Sequence, residues 1–265
     1  MFKPIPIPEH SPWVRQMLVI NALLNREIAT RFGEYRLGFF WMLFEPLLSV
    51  IMIGIIIGSI AGRTVPEIPY AFFLLNGRLL LKLFTGAMNS GINAISSNQG
   101  LLVYPNVRPL DIFIARFLYV VMTIVFSFSL FCLIGMFLGI DISLGRLELL
   151  FACFLITWLM GCGLGLIFGI AAAHFNEVEK FVKILQIPLV FISAVLIPIS
   201  ALPNSVQKIL LYNPLVHTIE LSRKALFPFY HAEGAELTYP FLVAIVVLAI
   251  GLTLFQGNRN FLAQR

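Results

Sequence analysis

Along this chain of 265 residues, long apolar runs alternate with short polar connections. Six runs are long enough or nearly long enough to cross a bilayer, near residues 37–60, 70–95, 112–138, 147–173, 184–200 and 239–256. A crossing needs about 20 predominantly apolar residues, each rising about 1.5 Å, to span roughly 30 Å of hydrocarbon. In lipid the backbone has to satisfy its own N–H and C=O groups, which admits only helices or a closed barrel. The runs lack the strict alternation of barrel strands. The pattern therefore predicts an all-α polytopic membrane protein with six transmembrane helices.

The connections add shorter elements. Ser11-Pro12 supplies a capping hydroxyl and a proline at the first helical position, so a helix is expected from there to about Arg31. Trp13, Met17, Ile20, Leu24 and Ile28 recur on it at helical spacing, with Arg15, Asn25, Arg26 and Glu27 elsewhere around it. Such a helix either lies flat at a membrane surface or packs as an ordinary amphipathic helix. The second connection, 96–111, reads as a short helix near Ser97–Val103 that ends before Tyr104-Pro105-Asn106-Val107-Arg108-Pro109. The fourth, 174–183, reads as a short charged loop. Between the fifth and sixth spans, Ser205–Leu211 and Leu215–Phe227 are apolar but too short to cross, which suits re-entrant or surface-lying helices. Asn213 and Pro214 suit the cap and first position of the second one. The organisation expected is an N-terminal segment over 1–36 and a membrane domain over 37–265.

Composition agrees, since 59% of residues are hydrophobic and only 12% charged, too little polar surface for a soluble globule of this length. No cleavable leader is visible, so the N-terminus is expected to stay on the side of synthesis. The net charge of +5 matters less for nucleic acid than for topology. Lys3, Arg15, Arg26, Arg31, Arg36, Arg108, Lys180, Lys183, Arg259 and Arg265 fall on one face of a six-span layout. Arg63, Arg146, Lys208, Arg223 and Lys224 fall on the other. That bias puts both termini in the cytoplasm. Cys132, Cys153 and Cys162 all lie in apolar runs without zinc-ligand spacing, so neither a metal site nor a disulfide framework is expected.

Candidate chemistry is sparse. The phosphate-cradling G-x-x-x-x-G-K-[ST] loop is missing, as are H-E-x-x-H and G-x-S-x-G, so neither ATP hydrolysis nor a catalytic role is expected of this chain. His10, His174, His217 and His231 sit in separate connections and read as surface residues. Charges inside spans carry more information, because each costs at least about 2.5 kcal/mol at a helix centre unless paired or hydrated. Arg78 and Lys82 are four residues apart, hence on one face of the second span. They lie about 12 and 18 Å in from Tyr70. They either line a path for an anionic substrate or sit near an interface because the span is broken at Asn76-Gly77. Glu45, beside Pro46 in the first span, suits pairing with one of them or binding substrate directly, and Arg116 suits snorkelling from the end of the third. Phe40, Trp41, Phe44, Tyr70 and Phe73 fit interfacial belts or a sugar-stacking path.

Three stretches carry a family resemblance. Arg26-Glu27-Ile28-Ala29-Thr30-Arg31-Phe32-Gly33-Glu34-Tyr35-Arg36-Leu37-Gly38, continuing through Trp41 to Glu45-Pro46, resembles the approach to the first span of type-2 ABC transporter permeases. The likeness is to the capsular-polysaccharide export subgroup, the KpsM type. Tyr104 to Asp111 and Tyr212 to Arg223 agree with it. The resemblance implies a homodimeric permease for a lipid-linked acidic polysaccharide in a bacterial inner membrane, joined by two copies of a separate ATPase that binds ATP and Mg. A periplasmic co-polymerase and an outer-membrane exporter are further implied partners. It makes Ser97–Val103 the coupling helix, with Ser97, Leu101, Tyr104 and Arg108 against the ATPase, and the N-terminal helix an interface helix. His217, Glu220 and Arg223 then fall in periplasmic re-entrant helices. The charged Arg78-Leu79-Leu80-Leu81-Lys82 after Gly77 departs from the family's mainly uncharged pattern. Rival readings are export of O-antigen, teichoic acid or a small drug by the same fold, an ion-coupled secondary transporter, and a membrane-embedded enzyme.

Overall fold

The computed structural model describes residues 11–32, 68–104, 107–143, 145–175 and 177–263. Over these residues the chain is helical with short connections and no strand. Helix α1 spans Pro12–Phe32 and α2 Tyr70–Ile92; a 3-10 turn at Ser96–Asn98 runs into α3, Gln99–Leu102. Then come α4 (Pro109–Phe137), α5 (Leu147–His174), α6 (Glu177–Ile192), a 3-10 turn at Ile199–Ala201, α7 (Asn204–Leu210), α8 (Pro214–Leu226) and α9 (Thr238–Ala263). Among the described residues α2, α4, α5 and α9 are long and apolar enough to cross a membrane. The first predicted span, 37–60, and the boundary at residue 36 lie outside the described residues.

Helix starts follow local chemistry. Pro12, Pro109 and Pro214 occupy first positions, where a missing N–H leaves nothing unsatisfied. The Val14 amide donates to Ser11 Oγ at 3.4 Å and the Leu215 amide to Asn213 Oδ1 at 3.1 Å, as expected of the two caps. The Arg108 amide donates to Asp111 Oδ2 at 3.0 Å, which closes the start of α4.

The fifth predicted span needs correction, because α6 runs over Glu177–Ile192 and not over 184–200. Glu177 and Glu179 fill its first turn, where carboxylates suit the positive helix end. Lys180 and Lys183 therefore lie on a helix rather than in a loop, with Lys183 Nζ 2.7 Å from Glu179. After Ile192 the chain leaves the helix through Ala194, a non-glycine residue at φ 54°. Ser193, Ala194 and Val195 are all buried in that turn.

What holds the long helices together is backbone contact. Gly161, Gly165 and Gly169 repeat every fourth residue on one face of α5 and meet Phe84, Ala87 and Gly91 of α2. A Cβ added at Gly91 would lie 2.4 Å from the Gly165 carbonyl, and one at Gly169 2.5 Å from the Gly91 oxygen. The other side of α5 uses Gly163 against Leu248, reciprocated by Gly251 of α9 against the Gly163 oxygen. Helices in lipid gain little from hydrophobic burial and associate through such close packing. By contrast α6 buries only Val182, and Phe181, Ile184, Ile187 and Phe191 stay exposed.

Where α2 begins, a buried polar knot ties the chain ends of several helices. Arg223 of α8 has no exposed surface. Its Nη1 donates to the Ala194 carbonyl at 2.8 Å and to Glu220 Oε1 at 2.9 Å, and its Nη2 to the Val195 carbonyl at 3.1 Å and the Phe73 carbonyl at 3.4 Å. The guanidinium stacks 3.5 Å from the Phe73 ring centroid. Gly77 leaves room for it, since a Cβ there would lie 2.6 Å from Nη2. Glu220 Oε2 accepts the Tyr230 hydroxyl at 2.6 Å. Burial pushes that phenol well above its ordinary value, so Tyr230 stays protonated and donates. His217, expected at the surface, is instead buried. Its Nδ1 accepts the Glu236 amide at 3.0 Å, so Nε2 carries the proton and donates to the Leu211 carbonyl at 2.8 Å.

Two outcomes follow for the purified protein in detergent. Gly165→Leu forces α2 away from α5 and is expected to lower stability by at least about 3 kcal/mol, seen as loss of monodisperse protein. Glu220→Leu strands a buried guanidinium at a cost of roughly 3 to 5 kcal/mol. Adding Arg223→Met should recover part of that loss in a thermal melt.

Candidate functional site

Helix α2 runs unbroken through Asn76-Gly77, so Arg78 and Lys82 sit in its middle turns. Neighbours α4, α5 and α8 cover most of its circumference. The residues of α2 that are not buried are Ala71, Arg78, Lys82, Thr85, Gly86 and Asn89. At about 100° per residue these positions fall in one narrow stripe. A lipid-facing stripe would be apolar, yet four of these six are polar, and one partly open polar strip on a helix otherwise enclosed marks a hydrated path or a second protein surface. Among the described residues no ion-pair partner faces Arg78. Asn89 is engaged across the stripe by Gln186 of α6: Nδ2 donates to Gln186 Oε1 at 3.1 Å, and Gln186 Nε2 returns a bond to Asn89 Oδ1 at 2.7 Å.

The aromatic candidates do not join that stripe. Phe73 lies beneath Arg223 with no exposed surface, and Tyr70 donates its hydroxyl to the Leu196 carbonyl at 2.9 Å. Both serve the packing of the knot, on a different face of α2 from Arg78. Glu45, Phe40, Trp41 and Phe44 lie outside the described residues. His217, Glu220 and Arg223 are brought together on α8, but as buried ordering groups. A cavity of about 390 Å³ opens nearby, lined by Ile68, Pro69, Ile140, Asp141, Phe227 and Phe229, and no stripe residue reaches it.

At the opposite end of α2, the connection 96–104 projects from the bundle. Ser97 is exposed, Leu101 half-buried, Val103 82% and Tyr104 62% exposed, and Arg108 exposed beyond them. Pro105 and Asn106 lie outside the described residues. The projection is anchored to α1, where Arg26 Nη1 donates to Asn98 Oδ1 at 3.0 Å, and Asn98 Nδ2 donates to the Ala94 carbonyl at 2.9 Å. Arg116, expected to snorkel, is buried instead. Its Nε approaches Glu27 at 3.3 Å and its Nη1 donates to the Ser90 carbonyl at 3.3 Å, so one side chain ties α1, α2 and α4. Glu27 also accepts Arg31 Nε at 2.8 Å, and the Arg31 guanidinium lies 4.8 Å over the Tyr119 ring. Gln16 bonds Asp111 at the start of α4.

Helix α1 combines both predicted characters. Leu23, Leu24 and Ile28 pack into the bundle, while Trp13 is 81% and Met17 72% exposed. The spacing that seemed a single face is divided along its length, the later half docked and the earlier half open. Sequence reasoning singled out charges inside the spans and so missed Asn89, Gln186 and Asn98, and it read Glu27 only as part of the polar side of α1. Extending the interval of three and four from Arg78 and Lys82 reaches Thr85 and Asn89, whereas nothing local in the sequence pairs Asn89 with Gln186.

Comparison with known proteins places this geometry in a family. The ABC-2 type transporter model matches residues 19–227. The chain is 38% identical over 245 residues to the polysialic acid transport protein KpsM of Escherichia coli, covering 92% of this chain and 95% of that one. It is 31% identical to the capsule polysaccharide export inner-membrane protein CtrC of Neisseria meningitidis serogroup A, covering 89% of each. To the capsule polysaccharide export inner-membrane protein BexB of Haemophilus influenzae it is 32% identical, over 89% of this chain and 87% of the other. With apolar helices of crossing length and a family match over most of its length, the chain belongs to the ABC-2 type transporter family.

Proposed function

We propose that this chain is the membrane permease subunit of an ATP-driven exporter that moves a lipid-linked acidic capsular polysaccharide across the bacterial inner membrane. The relatives' substrates support the cargo, and the polar stripe on α2 carries the reading. A cationic strip inside an otherwise enclosed helix suits sugar carboxylates or lipid phosphates, which gain most from charge where water is scarce. Two copies of the chain enclose the path between them, and six spans per copy leave both termini in the cytoplasm. Helices α7 and α8 are then re-entrant from the periplasmic side.

ATP and Mg bind a separate cytoplasmic ATPase, two copies per transporter. That partner seats on the projection 96–104, where Tyr104 and Val103 offer exposed apolar surface and Arg108 a charge. Closure of the ATPases pushes on this projection. The Arg26–Asn98 bond and the Glu27–Arg116 pair pass the push to α1, α2 and α4 together. A periplasmic co-polymerase and an outer-membrane exporter take the polymer onward.

Replacing Arg78 and Lys82 with Leu together should cut surface display of an acidic polymer about tenfold, a loss of about 1.4 kcal/mol in the rate-limiting step, with less effect on a neutral one. Equal loss for both polymers, measured by extracting surface glycan, would remove charge from the reading. Replacing Tyr104 and Arg108 with Ala should strip the ATPase from the purified complex. Full co-purification with normal export would overturn the docking assignment.

A further inference from the structure

The Asn89–Gln186 pair stands out against its surroundings. Helix α6 carries its charges in its first half, is apolar from Ile184 onward except for Gln186, is poorly buried, and contains Pro188. Yet it presents one amide to α2, and that amide forms two reciprocal bonds with the stripe residue next in line after Thr85. A part-buried amide pair between two helices is costly to open without replacement, because the separated donor and acceptor each lose a partner. It can, however, exchange one partner for another of equal hydrogen-bonding capacity.

From this geometry we infer that the Asn89–Gln186 pair is a clasp across the transport path, opened by exchange with the hydroxyl groups of the passing sugar polymer. The inference deepens the proposed function and rests on it. On the orientation proposed there, Asn89 lies about 10 Å nearer the cytoplasm than Lys82, so cargo meets the clasp before the charges. Each amide offers an N–H₂ and a carbonyl, and a sugar hydroxyl both donates and accepts. Polymer entering the stripe thus replaces both clasp bonds without leaving a group unsatisfied, whereas an acyl chain replaces neither. Helix α6 is suited to yield, since Val182 is its one buried side chain and Pro188 interrupts its hydrogen-bond ladder. The clasp selects for hydroxylated cargo and is indifferent to its charge. Charge selection belongs to Arg78 and Lys82.

The test uses the complete transporter in cells, with the host's own surface glycan as the probe, in strains making an acidic or a neutral polymer. The double variant Asn89→Leu with Gln186→Leu keeps an apolar contact between α2 and α6 and should remain folded with its ATPase attached. Its export is expected to fall at least tenfold for both polymers. The exchanged pair Asn89→Gln with Gln186→Asn should retain export within about twofold. In a chain with Cys132, Cys153 and Cys162 replaced by Ala, Asn89→Cys and Gln186→Cys joined by a reducible thiol-to-thiol cross-linker should stop the export that remains, and reduction should return it to the level of the same chain before cross-linking. If the double Leu variant exports normally, the pair is only a helix staple and the clasp is overturned. Undiminished export by the cross-linked chain overturns it equally. Normal export by the Arg78→Leu, Lys82→Leu chain would instead remove the charged lining, and the clasp would then stand or fall on the cross-link alone.

Discussion

The backbone-to-backbone approach of α2 and α5 is the constraint on which the other features depend. Because Gly91 and Gly165 carry no side chains, these two helices meet closer than any larger residue allows. Dispersion and weak polar contacts at such distances stand in for the hydrophobic force that lipid does not supply. The contact fixes the rotation of α2 about its own axis. Once that rotation is set, α4 and α8 cover two further faces, and among the described residues one narrow strip stays only partly buried, the strip bearing Arg78, Lys82, Thr85 and Asn89. A polar lane inside the membrane is thus a by-product of where the glycines fall.

The two ends of α2 are secured by different chemistry. At its start Arg223 serves as a forked donor to three main-chain carbonyls and to Glu220, a geometry a lysine could not reproduce. At its end Arg116 reaches Glu27 and the Ser90 carbonyl. Both guanidiniums are buried, and both order backbone from separate parts of the chain. The first end is closed on every side. The second leaves the 96–104 projection exposed and supported from below, as suits a surface on which another protein pushes.

Much of this was readable from the residues. Apolar runs located α2, α4, α5 and α9 to within a few residues at most ends, and proline with a capping side chain located the starts of α1 and α8. Helical spacing put Arg78 and Lys82 on one face. What escaped was non-local. The length of α6 was misjudged because the apolar run continues to residue 200, whereas the groups that hold the break after Ile192 lie far along the chain, Asn213 at the Ile192 carbonyl and Arg223 at the Ala194 carbonyl. Arg116 read as a snorkelling residue because its partner Glu27 lies on another helix. Phe73 and Tyr70 read as possible sugar platforms because aromatic residues at a helix start look alike whether they face a lumen or a buried guanidinium. The repeat of Gly161, Gly165 and Gly169 was visible in the sequence all along, and spacing of four is its signature.

The early end of α6 has one more effect. Its 16 residues rise about 24 Å, some 6 Å less than the hydrocarbon thickness of an average bilayer. On the proposed six-span arrangement, lipid bordering Phe181, Ile184, Ile187 and Phe191 meets a protein wall shorter than the hydrocarbon, which local thinning of the bilayer accommodates. A dimpled bilayer beside this loosely packed helix brings head groups closer to the middle of the membrane. For a glycolipid whose anchor must change leaflets, that dimple shortens the journey.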